Sequence, residues 1–350
     1  MIMDNLDALT EEELIEFRKT IKRNWSLATI KECFHHDKSQ CQGKIKKAHS
    51  LQSNRRLSII TSEVRGNQML YTFTSHIPSR TRMYSDLEPI GKAEASTFFG
   101  FCDHHDTDLF SPIENFEFDG SAKHLFLHSY RSYAHSYHRK MEEYRIWTEN
   151  KDFIKTVPKD YYSEFRRGQD LAMKDALHYK PRLDEALAAE HYDFFEYLVY
   201  EKEGLFPFAV SSQLNPITSY KGKPMNMHID PEVPFSQPLL TLLPDKGKTI
   251  VIVAAFPEDK DSITLLDELN ELPSLKLEKA ISSLAIACCE NTFFSPLVWN
   301  SLSIIEKRRF LDEYEVTTMP LFPRDRFFHS SFNFFDSRFE MTRLKSNDLR

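Results

Sequence analysis

CFHHDKSQC, from Cys33 to Cys41, and FGFCDHHDTDLF, from Phe99 to Phe110, are the two stretches that decide how this chain is read. Each sets thiols beside imidazoles. Cys102 and His105 have the C-x-x-H spacing of a tetrahedral metal site, and Cys33 and Cys41 bring that site to four soft or borderline ligands. The first pair is spaced more widely than a usual zinc knuckle, so His35 or His36 can take the place of one cysteine. The segment around both stretches has little regular apolar patterning, and a Zn²⁺ ion would supply folding energy that so small a core cannot. The plainer alternative is a set of unpaired thiols near acid-rich turns.

Outward from these stretches the chain divides into five parts. Residues 1–24 form a leading helix, because Thr10 is followed three residues later by Glu13, a capping-box pattern, and Leu14, Ile15 and Phe17 recur at helical spacing. Residues 25–118 hold the thiols and imidazoles among strand-like runs, KIKKAHSL, RLSIITSEV and MLYTFTS, with a long loop from Ser75 to Gly91. Residues 119–204 read as long helices, Ser121 to Thr156 and Lys159 to Glu203, with kinks at Gly168 and Pro181. Residues 205–320 are α+β: LFPFAVSSQ, KPMNMHID, PLLTLLP and TIVIVAAFP predict a mostly antiparallel sheet, and helices follow at Ser262 to Leu272, Lys276 to Asn291 and Pro296 to Tyr314. Residues 321–350 form a tail whose polar end is expected to fray.

The length of 350 residues excludes a single small binding module, and 41% hydrophobic residues provide for real cores. With Gly only 9, the chain has little material for glycine-rich phosphate loops. The net charge of −7 argues against a protein that coats nucleic acid over its whole surface. Its distribution is uneven: Trp25 to Tyr84 carries 10 bases against 3 acids, a local +7, which leaves −14 on the remainder. A basic segment on an acidic chain points to one face for an anionic ligand, phosphate above all. Five cysteines and no secretory apolar segment argue for reduced thiols in a cytoplasmic protein, with Cys288 and Cys289 as core packing and no membrane span.

His49 ends the run KIKKAH eight residues after Cys41. Cys33, Cys41, the AHS of Ala48 to Ser50, and Phe99 to Phe110 together resemble the HNH nucleases of the ββα-metal class, in particular a branch with Ala-His at the end of its first strand and C-x-x-H-H at the start of its helix. The resemblance covers Glu32 to Glu114. It implies an α+β protein with a zinc-stabilised, treble-clef-like ββα-metal module joined to a larger domain of long helices and a mostly antiparallel sheet. It implies a structural Zn²⁺ on Cys33, Cys41, Cys102 and His105, and a catalytic Mg²⁺ or Mn²⁺ beside His49. His49 would be the general base, Asp106 the helix-borne ligand of that ion with His104 a weaker candidate, and Thr97, with Ser96 beside it, would stand where the family has its middle asparagine. Ala48 departs from the acidic residue that many members carry before the histidine. Physical chemistry agrees with these roles, since phosphodiester hydrolysis needs a base with a near-neutral pKa and a positive charge where negative charge develops. Lys44, Lys46, Lys47, Arg55 and Arg56 would hold the backbone of a nucleic acid, DNA favoured over RNA. Modules of this kind fused to unfamiliar domains resemble effectors of bacterial anti-phage systems.

Two other classes compete with the nuclease. A noncatalytic adaptor would use the zinc unit for binding nucleic acid or protein, and the C-terminal part for a protein partner or a second copy of the chain. A helical ribonuclease would use Arg131 and His138, whose R-x6-H spacing is similar to that of HEPN ribonucleases; the stripe of Tyr130, Tyr133 and Tyr137 through the same run favours packing instead.

Overall fold

The structure is a computed structural model and describes residues 10–73, 87–150, 154–155, 159–204, 206–226, 230, 232–287, 291–318, 332–335 and 342–343. In chain order the elements begin with α1 (Glu11–Ala28), β1 (Ile45–His49), β2 (Ser62–Val64), β3 (Asn67–Phe73), β4 (Leu87–Gly91), β5 (Thr97–Cys102), α2 (Asp103–Asn115), α3 (Ala122–Glu149) and α4 (Lys159–Ala188). They continue with β6 (Glu196–Glu203), β7 (Phe208–Gln213), β8 (Leu239–Asp245), β9 (Lys248–Ala255), α5 (Lys260–Asn270), α6 (Ser274–Ala287), β10 (Thr292–Phe294), α7 (Pro296–Ser301), α8 (Ile304–Thr318) and β11 (Thr342–Arg343). Thr10 and Glu13 form both bonds of the capping box at α1.

Two antiparallel sheets make the fold α+β. One is the pair β1–β5, which leads directly into α2 and so forms a ββα unit. The other has nine strands in the order β11-β6-β9-β8-β7-β10-β3-β2, with β4 on the outer side of β3. Its centre is apolar on both faces, because β8 and β9 are buried along nearly their whole length. The two-residue period of a strand divides β9 cleanly. Val251, Val253 and Ala255 pack with Leu265, Leu269, Ile281 and Leu284 of α5 and α6, whereas Ala254 packs with Tyr130, Tyr133 and Phe126 of α3, and Ile250 and Ile252 with Leu51, Leu57 and Phe118. Each such Val, Leu, Ile or Phe side chain contributes about 1.5–3 kcal/mol by leaving water, so the sheet is the stable frame on which the rest is registered.

One core joins the ββα unit to that frame. Cys33, Phe34, Phe98, Phe101, Cys102 and Phe110 belong to the same apolar cluster as Tyr130, Tyr133, Tyr179, Leu183 and Phe256. Helix α3 lies between the two. On its sheet side the buried Ser132 hydroxyl bonds both Ser211 Oγ (2.7 Å) of β7 and Thr241 Oγ1 (2.8 Å) of β8, so no polar atom of that trio is left unpaired.

Several sequence expectations need correcting. The helical reading of Lys159 to Glu203 ends at Ala188, and residues 196–203 form strand β6 paired along its length with β9. Leu198, Val199 and Tyr200 are buried between layers, and helical spacing of apolar residues cannot distinguish that from a helix face. Helix α4 runs on through Gly168 and Pro181, held by packing of Tyr179 and Leu183 against α3. Strands β2, β3 and β4 join the large sheet through β3 and β10, so the segment between β1 and β5 leaves the ββα unit, and the expected boundary at 118 does not separate two sheets. Of the long loop Ser75 to Gly91, residues 87–91 are a strand and the others lie outside the described residues. KPMNMHID makes only the bridge between Thr218 and Pro224, with residues 227–229 outside the description. The helix expected to reach Asn291 is described to Ala287, with 288–290 outside the described residues and Asn291 itself non-helical ahead of β10, and the one expected over Pro296 to Tyr314 is the two helices α7 and α8. Cys288, Cys289 and most of the tail lie outside the described residues. No helix among the described residues is long and apolar enough to cross a membrane.

Candidate metal centre and the histidine beside it

Three short segments converge at the start of α2. In the β1–β5 pair Ile45 lies opposite Cys102 and His49 opposite Thr97. Residues 32–34 run along the other edge of β5, where the Glu32 amide donates to the Phe99 carbonyl (3.3 Å) and the Phe34 amide to that of Gly100 (2.6 Å), and this sets Cys33 beside Cys102. The Phe34 ring anchors the segment against Phe101, Tyr130 and Tyr137. The chain then turns at 38–40 and returns through Cys41 over the N-terminus of α2, the Asp103 amide donating to Lys44 O (2.9 Å) and the His104 amide to Gln42 O (3.3 Å).

Cys33, Cys41, Cys102 and His105 gather there with all their ligand atoms within 4.8 Å of one another. The three Sγ atoms lie 3.4, 3.6 and 3.3 Å from His105 Nδ1. One imidazole nitrogen has a single lone pair or a single proton, so it cannot hydrogen-bond three sulfurs at once. A tetrahedral ion with Zn–S of about 2.3 Å and Zn–N of about 2.0–2.1 Å sets S···N separations of about 3.5 Å. The donor set therefore suits a metal ion such as zinc. Burial and the Cys33 and Cys102 thiols push the Cys41 thiol up to about 12, whereas burial of Cys102 is outweighed by the His105 and Gln42 amides aimed at its sulfur, which hold it below the usual thiol range. A cation among the three sulfurs removes that conflict.

Neither His35 nor His36 joins the four. The His35 ring stacks on His105 (3.8 Å between centroids, 11°) and its Nδ1 accepts the Asp37 amide (3.1 Å). Burial first, then His105 and His36, lower its pKa to about 4, so it remains a neutral platform for the ligand ring.

Gly43 makes the return loop feasible. Its φ is +75°, and a Cβ there would stand 2.6 Å from the Asp103 Cβ. Gly43→Ala is accordingly expected to lift residues 41–44 from α2 and raise the rate of metal loss to a chelator at least tenfold, read with a colorimetric zinc indicator. Unchanged release would show that the loop does not need the close approach.

His49 stands at the end of β1, half-buried, with its Nδ1 2.9 Å from the Ala95 carbonyl oxygen. A carbonyl only accepts, so Nδ1 carries the proton and Nε2 keeps its lone pair. Burial first, opposed by that carbonyl and reinforced by Arg131, holds the imidazole below its ordinary pKa, while Glu114 and Asp106 act weakly the other way. Asp106 and Glu114 both project from α2 to Arg131 of α3, whose Nη2 lies 3.4 Å from Asp106 Oδ1 and 2.5 Å from Glu114 Oε1. Burial raises the Asp106 carboxyl, and Arg131 works against that rise.

The Thr97 hydroxyl donates to Glu94 O (2.8 Å) and caps the turn, so it does not steady the loop after His49. Ser96 does: in the left-handed region (φ 58°) and buried, it donates to Leu51 O (2.9 Å), accepts the Leu51 amide (3.2 Å), and takes the Ser50 amide on its own carbonyl (2.8 Å). Arg56 is 2% exposed and paired with Asp245 (2.6 Å), so it has no surface to offer a phosphate. Lys46 pairs with Asp103, Lys47 with Glu94, and Arg55 with Glu117 (3.7 Å), while Lys44 is exposed. Arg131 and His138 are both buried, and His138 Nε2 bonds the Ile30 carbonyl (2.8 Å), so neither offers RNA a surface. Sequence reasoning missed Glu114, whose only signal was its position eight residues after Asp106, within about 80° on the same helix.

No protein-family model, no curated protein and no solved structure matches this chain.

Proposed function

We propose that the chain is a metal-dependent endonuclease of the HNH-like ββα type, which hydrolyses phosphodiester bonds of nucleic acid, with duplex DNA as the favoured substrate and anti-phage defence as the setting. The observation that carries this reading is His49 at its strand end, its Nδ1 tied to a backbone carbonyl and its ring within reach of the charges of Asp106 and Glu114. In that reading Cys33, Cys41, Cys102 and His105 hold a structural Zn²⁺ that fixes β5 and α2, and thereby the spacing between His49 and Asp106.

The residues present also fit Mg²⁺ or Mn²⁺. Arg131 engages one oxygen of each carboxylate, the side chains remain 15% and 28% exposed, and such ions are held by one or two carboxylates with water and phosphate completing the shell. Asp106 would hold the ion, which when bound supplies positive charge at the scissile phosphate. His49 takes the proton of the attacking water at Nε2, and the Ala95 carbonyl keeps the ring in the tautomer that can accept it. Asp106, Glu114 and Arg131 together carry a formal −1, so a phosphate approaching them without a cation is repelled. Lys44, and Lys46 and Lys47 by exchanging their surface carboxylates for phosphate, would guide the backbone in.

Incubation of the purified chain with supercoiled plasmid and with RNA, with Mg²⁺, Mn²⁺ or no added divalent ion, tests this. Nicking of plasmid that needs the ion and is lost in His49→Ala is the expected result. Binding without cleavage would favour the adaptor, and divalent-independent RNA cleavage lost in His138→Ala would favour the helical ribonuclease.

A further inference from the structure

We propose that Arg131, carried by helix α3 outside the ββα unit, is the positioning residue of this site, and that Glu114, which it clamps together with Asp106, is the site's second carboxylate. This rests on the nuclease reading above and concerns how its cation site is built. No acid flanks His49, whose neighbours are Ala48 and Ser50, so a second carboxylate has to come from elsewhere in the fold.

The geometry is specific. A single nitrogen, Nη2 of Arg131, bonds one oxygen of each carboxylate and leaves each with another. The guanidinium is 2% exposed and lies over the Phe110 ring at 4.1 Å, so it approaches the carboxylates from inside the protein and cannot compete for solvent-side ligands. Both halves of the site are referenced to one strand of the large sheet. Ser132, the next residue after Arg131, bonds Ser211 Oγ of β7. Ser50, the next after His49, accepts from Asn291 Nδ2 (2.7 Å), and that same amide donates to Ser211 O (2.6 Å). A buried, planar donor held in this way fixes carboxylate orientation, which a lysine, as a point charge, does less well.

A positive charge between two carboxylates has a distinct signature. It aligns them for turnover while weakening their attraction for a cation. Arg131→Met is therefore expected to bind Mn²⁺ about tenfold more tightly yet to cleave at least tenfold more slowly, and Glu114→Gln to bind Mn²⁺ about tenfold more weakly and also to cleave slowly. Damage to folding would weaken both properties together. Arg131→Lys keeps the charge but not the planar group packed over Phe110, so it should restore wild-type Mn²⁺ affinity and only part of kcat.

The experiment is Mn²⁺ titration of the zinc-loaded chain, followed by electron paramagnetic resonance, beside cleavage of a fluorophore-quencher DNA duplex, with zinc content checked for every variant. Should Arg131→Met fail to retain zinc, Arg131→Lys and Glu114→Gln decide the matter. Opposite displacements of Mn²⁺ affinity in Arg131→Met and Glu114→Gln support the clamp. Wild-type affinity in all variants, or weaker binding in Arg131→Met with full zinc content, overturns it. If the wild-type chain cleaves neither DNA nor RNA while the affinities split as stated, the nuclease reading fails and the clamp stands.

Discussion

Cys102→Ala is expected to empty the metal centre and unfold the ββα unit while the nine-stranded sheet persists. The residue has two roles: its sulfur is one of three gathered around His105 Nδ1, and it is the N-cap of α2, accepting the His105 amide. Structural zinc in small units contributes roughly 10–16 kcal/mol of apparent binding free energy, as much as the whole stability of a typical domain. Apart from the metal, residues 32–44 are held by the Phe34 ring, the His35 stack on His105 and a few backbone bonds. Elemental analysis should therefore find about one zinc per wild-type chain and almost none in Cys102→Ala. Hydrogen exchange should speed up by orders of magnitude over residues 30–49 and 97–115, with β8 and β9 unchanged. Cys41→Ser, at an exposed position, is expected to lose the metal with less disturbance of the core. Full zinc content in Cys102→Ala would remove the basis for a metal-held module.

His49→Ala is expected to slow cleavage by roughly 10²–10⁴-fold, the usual contribution of a positioned general base. DNA binding should hardly change, because the role given to the ring is to accept a proton and not to pair with phosphate. Its pKa is held down by burial first and by Arg131, which favours the proton-accepting form at neutrality. The rate is accordingly expected to rise with pH along a limb centred below the ordinary histidine value of about 6.5 and to level off above it. The sign follows from the role: a base works deprotonated, and a lowered pKa moves the rising limb to more acid pH. A rising limb centred above the ordinary histidine value, or a His49→Ala chain that cleaves at the wild-type rate, would rule out this residue as the base.

What was legible beforehand follows the range of the interactions involved. The capping box of Thr10 and Glu13, the C-x-x-H pair at the start of α2 and the β-branched apolar run TIVIVAA are local patterns, and each is present in the structure at the residues expected. The basic segment shows the limit of such reading. Counted along the chain it is strongly positive, yet folding brings Asp103, Glu94, Glu117 and Asp245 from outside the count onto Lys46, Lys47, Arg55 and Arg56. Thr97 and Ser96 show it at finer scale. Both were hydroxyls near the histidine, and only the left-handed backbone at Ser96 decides which of them reaches the loop after His49.

Read alone, the amino-acid sequence pointed to Cys33, Cys41, Cys102 and His105 as one donor set with His35 or His36 as alternatives, to a helix starting at the second pair, and to a histidine at the end of a strand-like run. Donor identity and short spacings suffice for these, since each depends on neighbours a few residues away. Tertiary structure alone decided that Arg56 is interior, that strands β2, β3 and β4 join the large sheet, and that Arg131 meets Asp106 and Glu114. Those outcomes rest on which faces of separate layers come together, and burial between layers is a property of the packed chain as a whole, which no local pattern encodes.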